Sequence, residues 1–342
     1  MILKHTALAE AQQLRNTAMD GVRGVAAIVV VLFHVDHFFP DFSAPPSGYL
    51  AVDMFFALSG YVIARAYGDR LLKDASVFRF FWLRFKRLYP SYLAGTALGV
   101  CLAAPALEKN GLGTLDLLAA LTMAPDPFSP ILYPLNPPAW SLFYEMTANL
   151  TFALLWRQCS RKSVLLIVGV ATVMLPIAAI SFGTLDAGHR WSALSVGFAR
   201  VLFGFFVGVA IYSHNLKFGS FSPLAITLIA LVILFVPVPH QYRLFFDIFM
   251  VVCIVPGIVM MCAGAELKQS PADRWLAGLG AMSYPLYTTH APVLLGVRAV
   301  LAKLDVPPSL IVIGGALVLS FVVAQLTQRL VDTKTRRSHK FA

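Results

Sequence analysis

The sequence predicts an all-α, polytopic integral membrane protein with about ten transmembrane helices and both termini in the cytoplasm. Composition is the first observation behind this prediction: apolar residues make up 58% of the 342-residue chain and charged residues only 13%. Soluble domains are about a quarter charged, and the mean hydropathy here is +0.74. The other two observations are the spacing of the apolar segments and the distribution of Lys and Arg along the chain.

The apolar segments have the length that a membrane-spanning helix needs, about 20 residues, and Pro, Gly and charge clusters separate them. They lack the alternating pattern of membrane barrel strands. The short apolar stretch 112–124 and the Pro-rich run after it are interpreted as an outer-face or re-entrant segment. The ten predicted spans are 24–39, 49–66, 87–106, 140–156, 163–182, 193–212, 221–238, 244–264, 276–300 and 309–331.

Lys and Arg are distributed unequally between the two sides that these spans define. With the N-terminus inside, nineteen lie on inner segments and four on outer segments. Cytoplasmic loops of membrane proteins carry such an excess, and an odd number of spans would scramble it. The split therefore favours ten spans and cytoplasmic termini. It also explains the net charge of +10, because the excess of Lys and Arg lies in cytoplasmic loops. We therefore expect the lipid bilayer as a partner and do not expect nucleic acid.

We expect one membrane domain over residues 1–342, with short cytoplasmic tails at about 1–20 and 332–342. The first apolar run has no small-x-small cleavage site after it, so it is interpreted as a retained span. The four cysteines have no metal spacing and lie in or beside spans, where they serve as apolar filler. The histidines do not cluster as metal ligands, and no metal or permanently bound cofactor is expected.

Several predicted spans carry ionisable side chains, which are costly in lipid and tend to be functional. His34 lies in the outer half of the first span, within AAIVVVLFHVDHFFP. Asp53 lies about one turn below the outer end of the second span, and Glu145 lies about 7 Å down the fourth, at ~1.5 Å per residue. We expect these three side chains to share one site, where Asp53 or Glu145 orients His34. The structural alternatives are a backbone hydrogen bond for His34 and an interfacial helix start for Asp53.

Basic and aromatic residues alternate in FRFFWLRFKRLYP (78–90) at the predicted inner face. Arg84 and Arg87 are three apart, so on a helix they share a face. Two guanidiniums on one face form a fork suited to phosphates, and Arg23 at the inner start of the first span could join them. The pattern predicts a polyanion site inside. Topology determinants or lipid head-group anchors are the alternative.

Five segments of the chain resemble motifs of the membrane-bound acyltransferase 3 family, in the family's order and over nearly the whole length. The first span resembles the opening of the family, an Arg-Gly segment followed by an apolar run that ends in His. The second span resembles the second helix of the family. The others carry R-x-x-R followed by Tyr-Pro, Trp-Ser-Leu-x-x-Glu, and a late Ser-Tyr-x-x-Tyr-x-x-His. The five segments are MDGVRGVAAIVVVLFH (19–34), GYLAVDMFFALSGYVIA (48–64), FWLRFKRLYPSYL (81–93), AWSLFYE (139–145) and LGAMSYPLYTTHAPV (279–293).

The resemblance implies a ten-helix enzyme of the bacterial inner membrane that uses cytoplasmic acyl-CoA, often acetyl-CoA, as donor. The acceptor is the hydroxyl of an extracytoplasmic glycan or lipid-linked sugar. On this basis His34 is the catalytic base and Glu145 an essential supporting carboxylate, with Asp53 as a candidate for orienting His34. The residues implied for donor binding are Arg23, Arg84 and Arg87. Tyr287 and His290 match motif positions, and together with Ser59 they are candidates for substrate contacts.

Two questions stay open from the sequence. Ser59, in FFALSGY, is interpreted first as a small packing residue; an acyl-enzyme at Ser59 or His34 is the alternative to direct transfer, which we favour. The rival function is a proton-coupled sugar or lipid transporter or flippase that uses His34, Asp53 and Glu145 as a proton relay. No inverted halves are visible in the sequence, which counts against a transporter. A scaffolding membrane protein would not need three ionisable groups at one depth. Acceptor identity, acyl length and oligomeric state are not determined.

Overall fold

The computed structural model of the chain describes residues 16–338 apart from 41, 43–44, 73–75, 109–112, 157, 159 and 267–269. Most of the predicted tail 1–20 and the last four residues of the predicted tail 332–342 lie outside the described residues. Within them, residues 332–338 continue the last helix of the chain.

Eleven helices make up the described part of the chain, and no sheet forms there apart from a single bridge between Ile131 and Arg190. The helices are α1 Thr17–Phe38, α2 Ala51–Leu72, α3 Val77–Glu108, α4 Thr114–Thr122, α5 Trp140–Leu155, α6 Arg161–Ala179, α7 Leu194–Ser213, α8 Pro223–Ile233, α9 (Arg243–Phe249, a π-helical turn Met250–Ile254, then Val255–Ala263), α10 Pro271–Leu304 and α11 Leu310–Ser338.

The predicted fold class is confirmed: the chain is an all-α, multi-pass membrane protein. Each of the ten predicted spans coincides with one helix, and the short segment 112–124 contains the nine-residue helix α4. Six stretches of the described residues are long and apolar enough to cross a bilayer: Thr17–Phe38, Gly48–Gly68, Arg161–Ala179, Trp191–Ser213, His240–Ala263 and Leu310–Val331. The number of ten crossings and the side of the termini stay predictions.

The helix ends differ from the predicted edges where polar residues continue a helix. Helix α1 begins at Thr17, because the side chain of Asn16 accepts a hydrogen bond from the Met19 amide and Asp20 lies in the first turn. Helix α3 begins at Val77 and so includes the whole basic and aromatic segment. Hydropathy detects only the apolar part of a helix, so the polar first turns of α1 and α3 lie outside the predicted spans.

Large apolar side chains lie exposed on the outside of the bundle. On α6, Leu166 is 69% exposed, and on α11, Ile311 is 88% exposed, with several apolar neighbours on each helix similarly uncovered. A water-soluble monomer rarely leaves apolar surface of this extent open. Lipid tails would cover these faces, in agreement with a membrane protein.

Helix α10 is central to the site, because it packs extensively against α1, α3 and α11. A second close pair is α2 with α7. There Gly60 faces the carbonyl of Phe205 and Gly208 faces the carbonyl of Ala57, so that a methyl group at either glycine would collide with main chain. Gly204 and Gly208 form a G-x-x-x-G pattern, which allows membrane helices to approach closely. This contact fixes α2 beside the cavity described next.

Candidate active site

A cavity of about 1220 Å³ lies between α1, α2, α3, α5, α10 and α11. One end, here called the arginine end, is lined by Arg23, Arg84, Lys86 and Arg87. The other end is lined by Phe55, Ser141 and Tyr287. Ligand pockets in proteins are typically ~300–1,000 Å³, so this cavity has room for a long cofactor-sized substrate.

The arginine end unites the three arginines that the sequence singled out for donor binding. Helix α3 carries Arg84 and Arg87 and helix α1 carries Arg23, and all three side chains line the cavity. Arg84 is buried, and its Nε makes no hydrogen bond to any described residue. A buried guanidinium with an unsatisfied N–H is costly. An anionic ligand in the cavity would supply the missing partner.

Glu145 lies in the middle of the cavity wall. Nη2 of Arg84 lies 3.3 Å from its Oε1, and Oγ of Ser59 donates a hydrogen bond of 2.7 Å to the same oxygen. Ser59 therefore has a polar role toward the cavity instead of the packing role that we favoured from the sequence. Glu145 contacts the arginine that would hold the donor, and neither it nor Ser59 contacts His34 among the described residues.

Asp53 does not orient His34, and this expectation is wrong. Its carboxylate forms a bidentate ion pair with Arg200 of α7, at 2.7 and 3.1 Å, and both side chains are fully buried. Arg200 also donates to the carbonyls of Leu185, Ala187 and Tyr49. The pair ties α2 and α7 to the loop after α6, which is a structural function.

Arg200 is the residue that sequence reasoning missed. It lies within the predicted span 193–212, and an arginine in a membrane helix requires a partner. That requirement, applied to Arg200, would have indicated an acidic side chain in a neighbouring helix. Asp53 was then one of few candidates at a matching depth.

His34 lies against His290 of α10, and the ring centroids are 4.9 Å apart. Nδ1 of His34 is 2.9 Å from the carbonyl oxygen of Val30 and 3.3 Å from Nε2 of His290. His290 is fully buried, and its own Nδ1 is 2.9 Å from the carbonyl oxygen of Leu286. His34 is half-buried. Eleven residues separate His34 from Arg23 on α1, or about 16 Å at ~1.5 Å per residue.

Two rings of the cavity wall, Phe55 and Tyr287, lie next to the paired histidines through the contact of Tyr287 with His290. Phe55 and Tyr287 meet edge to face with centroids 5.6 Å apart, and the ring of Tyr287 is 6.1 Å from that of His290. The Tyr287 hydroxyl lies 2.8 Å from Oγ of Ser141 and donates to the carbonyl of Pro138. Phe55 and Tyr287 line the cavity, whereas His34 and His290 do not. We call this pair the Phe55–Tyr287 layer.

The fold and the cavity define a class: a multi-pass membrane protein with a large cavity between its helices, three arginines on the cavity wall and a pair of histidines near Tyr287. Within this class the chain belongs to the acyltransferase 3 family. The family model, described as "Acyltransferase domain", matches residues 16–329. The resemblance seen in the sequence motifs is thereby confirmed, and the protein is an acyltransferase.

Three curated relatives show what the chain is similar to. It is 38% identical over 186 residues to "Protein 2 in picA locus" of Rhizobium radiobacter, covering 49% of this chain and 96% of that protein. It is 33% identical to the acyltransferase MdmB of Streptomyces mycarofaciens, covering 44% of this chain and 41% of MdmB. It is 37% identical over 76 residues to the peptidoglycan O-acetyltransferase OatA of Listeria monocytogenes, covering 22% of this chain and 11% of OatA. No solved structure matches the chain.

Proposed function

We propose that the protein transfers an acetyl group from cytoplasmic acetyl-CoA to a hydroxyl of an extracytoplasmic or lipid-linked saccharide, in the bacterial inner membrane. The observation that carries the proposal is that one cavity is lined both by the three arginines and by Phe55 and Tyr287, and that Tyr287 contacts His290. Coenzyme A is a polyanion with its thioester on a long flexible arm. Arg23, Arg84 and Arg87 would bind the phosphates while the arm extends along the cavity toward the histidines.

His34 is the general base on this proposal, and the transfer is direct. The acceptor hydroxyl attacks the thioester carbonyl carbon and gives its proton to His34. A C–O bond forms, the C–S bond breaks, and the proton then passes from His34 to the departing thiolate, which leaves as CoA–SH. A neutral imidazole can take the proton of a hydroxyl and return it to the leaving group. A water-poor site strengthens the stabilisation of the tetrahedral intermediate.

On this proposal the Phe55–Tyr287 layer opens during the reaction, because the two rings line the cavity while His34 and His290 do not. Rotation of the two rings would join the donor cavity to the space around His34. In the closed arrangement the layer would keep water on the acceptor side away from the thioester. Gated closure of this kind is common in enzymes that must avoid hydrolysis of a reactive substrate.

The saccharide acceptor is supported by one of the relatives. OatA is named a peptidoglycan O-acetyltransferase, and a segment of it is similar to this chain. The basic inner loops support a cytoplasmic position for the arginine end, and His34 would then face the outer half of the membrane. A sugar hydroxyl at the outer surface is the acceptor that fits both observations.

The experiment is acetyl transfer from [14C]acetyl-CoA in membranes from cells that produce the full chain, compared with cells that lack it. O-acetyl esters are released by mild alkali, so alkali-labile label in the glycan fraction is the readout. We expect His34→Ala to lower this label by about 10²-fold or more, the usual contribution of a general base. His37→Ala, at an exposed histidine on the same helix, is the matched control and should retain activity.

Two results would contradict the proposal. One is label that does not depend on the protein, or that survives in His34→Ala at normal protein level. The other is proton-coupled uptake of a sugar without acyl transfer, which would favour the transporter.

A further inference from the structure

Each of the two paired histidines has one nitrogen committed to a backbone carbonyl of its own helix. Nδ1 of His34 is 2.9 Å from the Val30 oxygen, and Nδ1 of His290 is 2.9 Å from the Leu286 oxygen. A carbonyl oxygen can only accept a hydrogen bond. The proton of each neutral imidazole is therefore on Nδ1, and Nε2 carries the lone pair.

These two tautomers determine the direction of the contact between the rings. Nε2 of His290 lies 3.3 Å from Nδ1 of His34, so the His34 N–H donates and is shared between His290 and Val30. His290 is fully buried, and the contact with His34 gives its Nε2 a hydrogen-bond partner, as buried polar atoms generally require. Nε2 of His34 makes no hydrogen bond to a described residue, so its lone pair is left for a substrate.

We propose that His290 is a positioning residue, which holds His34 in the Nδ1–H tautomer with Nε2 directed to the acceptor hydroxyl. The inference rests on the proposed function, in which His34 is the base. When His34 takes the acceptor proton on Nε2, its Nδ1–H becomes part of an imidazolium. The lone pair of His290 and the Val30 carbonyl then stabilise that charge. A histidine thus takes the place that a carboxylate occupies in the more familiar triads.

The role requires His290 to stay neutral, since a second imidazolium 3.3 Å away would repel the first. The two carboxylates that the sequence suggested for orienting His34 have other partners: Asp53 pairs with Arg200 and Glu145 with Arg84.

Two amide substitutions test this contact with nearly the same side-chain chemistry. Gln at position 290 can place its amide oxygen where Nε2 lies and accept the His34 N–H. Asn ends where Nδ1 lies, so it can keep the bond to Leu286 but cannot reach His34. We expect His290→Gln to retain kcat within about tenfold. His290→Asn and His290→Leu should each lose about 10²-fold or more in kcat.

The apparent KM for acetyl-CoA should stay unchanged in all three variants, because the arginine end is intact. The assay uses the full chain in membranes with [14C]acetyl-CoA, and melting in detergent shows which variants fold. If His290→Leu does not fold, the Gln and Asn variants still decide the question. Equal kcat for the Gln and Asn variants, whether high or low, would overturn the positioning role.

The inference and the proposed function fail separately. Absence of acyl transfer in the unsubstituted protein, or full transfer in His34→Ala, contradicts the function itself. Loss in His34→Ala together with wild-type kcat in all three position-290 variants contradicts only the role of His290.

Discussion

Two arginine–carboxylate pairs with a buried arginine lie in the part of the bundle that the structure describes, and they differ in how completely the arginine is satisfied. Arg200 uses Nε, Nη1 and Nη2 in five hydrogen bonds, two to Asp53 and three to backbone carbonyls. Arg84 makes one contact of 3.3 Å with Glu145, and its Nε has no partner among the described residues. Arg200 is closed off in the protein, whereas Arg84 faces the cavity.

This difference separates the pair that stabilises the fold, Arg200 with Asp53, from the pair that can bind a ligand, Arg84 with Glu145. A guanidinium with all five donors used has nothing left for a substrate, so its value lies in fixing α2 and α7. A guanidinium on a cavity wall with an unsatisfied N–H donor can still donate a hydrogen bond to an anionic ligand. We therefore expect substitution of Arg200 to lower the stability of the fold, and substitution of Arg84 to weaken binding of the donor.

The largest expected effect is the loss of Arg200. Arg200→Ala leaves Asp53 as an unpaired buried carboxylate, which costs about 3–5 kcal/mol of folding free energy. We expect little folded protein, measured as the amount in the membrane and as the melting temperature in detergent. Replacing both partners, as in Asp53→Leu with Arg200→Met, removes the buried charges and should be less harmful than the single change. A normal melting temperature for Arg200→Ala would contradict the structural role.

Arg84→Ala should have the next largest effect, and on the donor instead of on the fold. A hydrogen bond to a charged group contributes about 1.5–3 kcal/mol, which corresponds to a rise of about ten- to a hundredfold in the apparent KM for acetyl-CoA. Arg79→Ala is the matched control, because Arg79 is exposed on the same helix and is absent from the cavity wall. Donor kinetics equal in the two variants would remove Arg84 from donor binding.

Ser59→Ala should have the smallest effect of the three. It removes one hydrogen bond to Glu145, worth about 1 kcal/mol, and so allows the carboxylate that faces Arg84 to move. We expect a rise of about fivefold or less in the apparent KM for acetyl-CoA, with kcat nearly unchanged. Complete loss of activity with normal folding would instead support an acyl-enzyme at Ser59, against direct transfer.

The helices and the arginine end could be predicted from the sequence, because both depend on local patterns. Hydropathy located the ten segments, and the spacing of Arg84 and Arg87 placed both on one face of a helix. The pairing of ionisable side chains could not be predicted in the same way. Asp53 meets a residue 147 positions away and His34 one 256 positions away. Their similar depth in the membrane suggested that His34, Asp53 and Glu145 form one group. The direction in which each helix presents its side chain instead gives each of them a different partner.

The central claim is that acyl-CoA lies along the cavity with its phosphates at the arginine end and its acyl group toward His34. The most direct test is a cryo-EM structure of the full chain with a non-hydrolysable thioether analogue of acetyl-CoA. We expect density for the phosphates of the analogue in contact with Arg84 and Arg87. We expect its acyl end to lie at the Phe55–Tyr287 layer, or beyond this layer beside His34. Nucleotide density away from these arginines, or an acyl end directed away from His34, would contradict it.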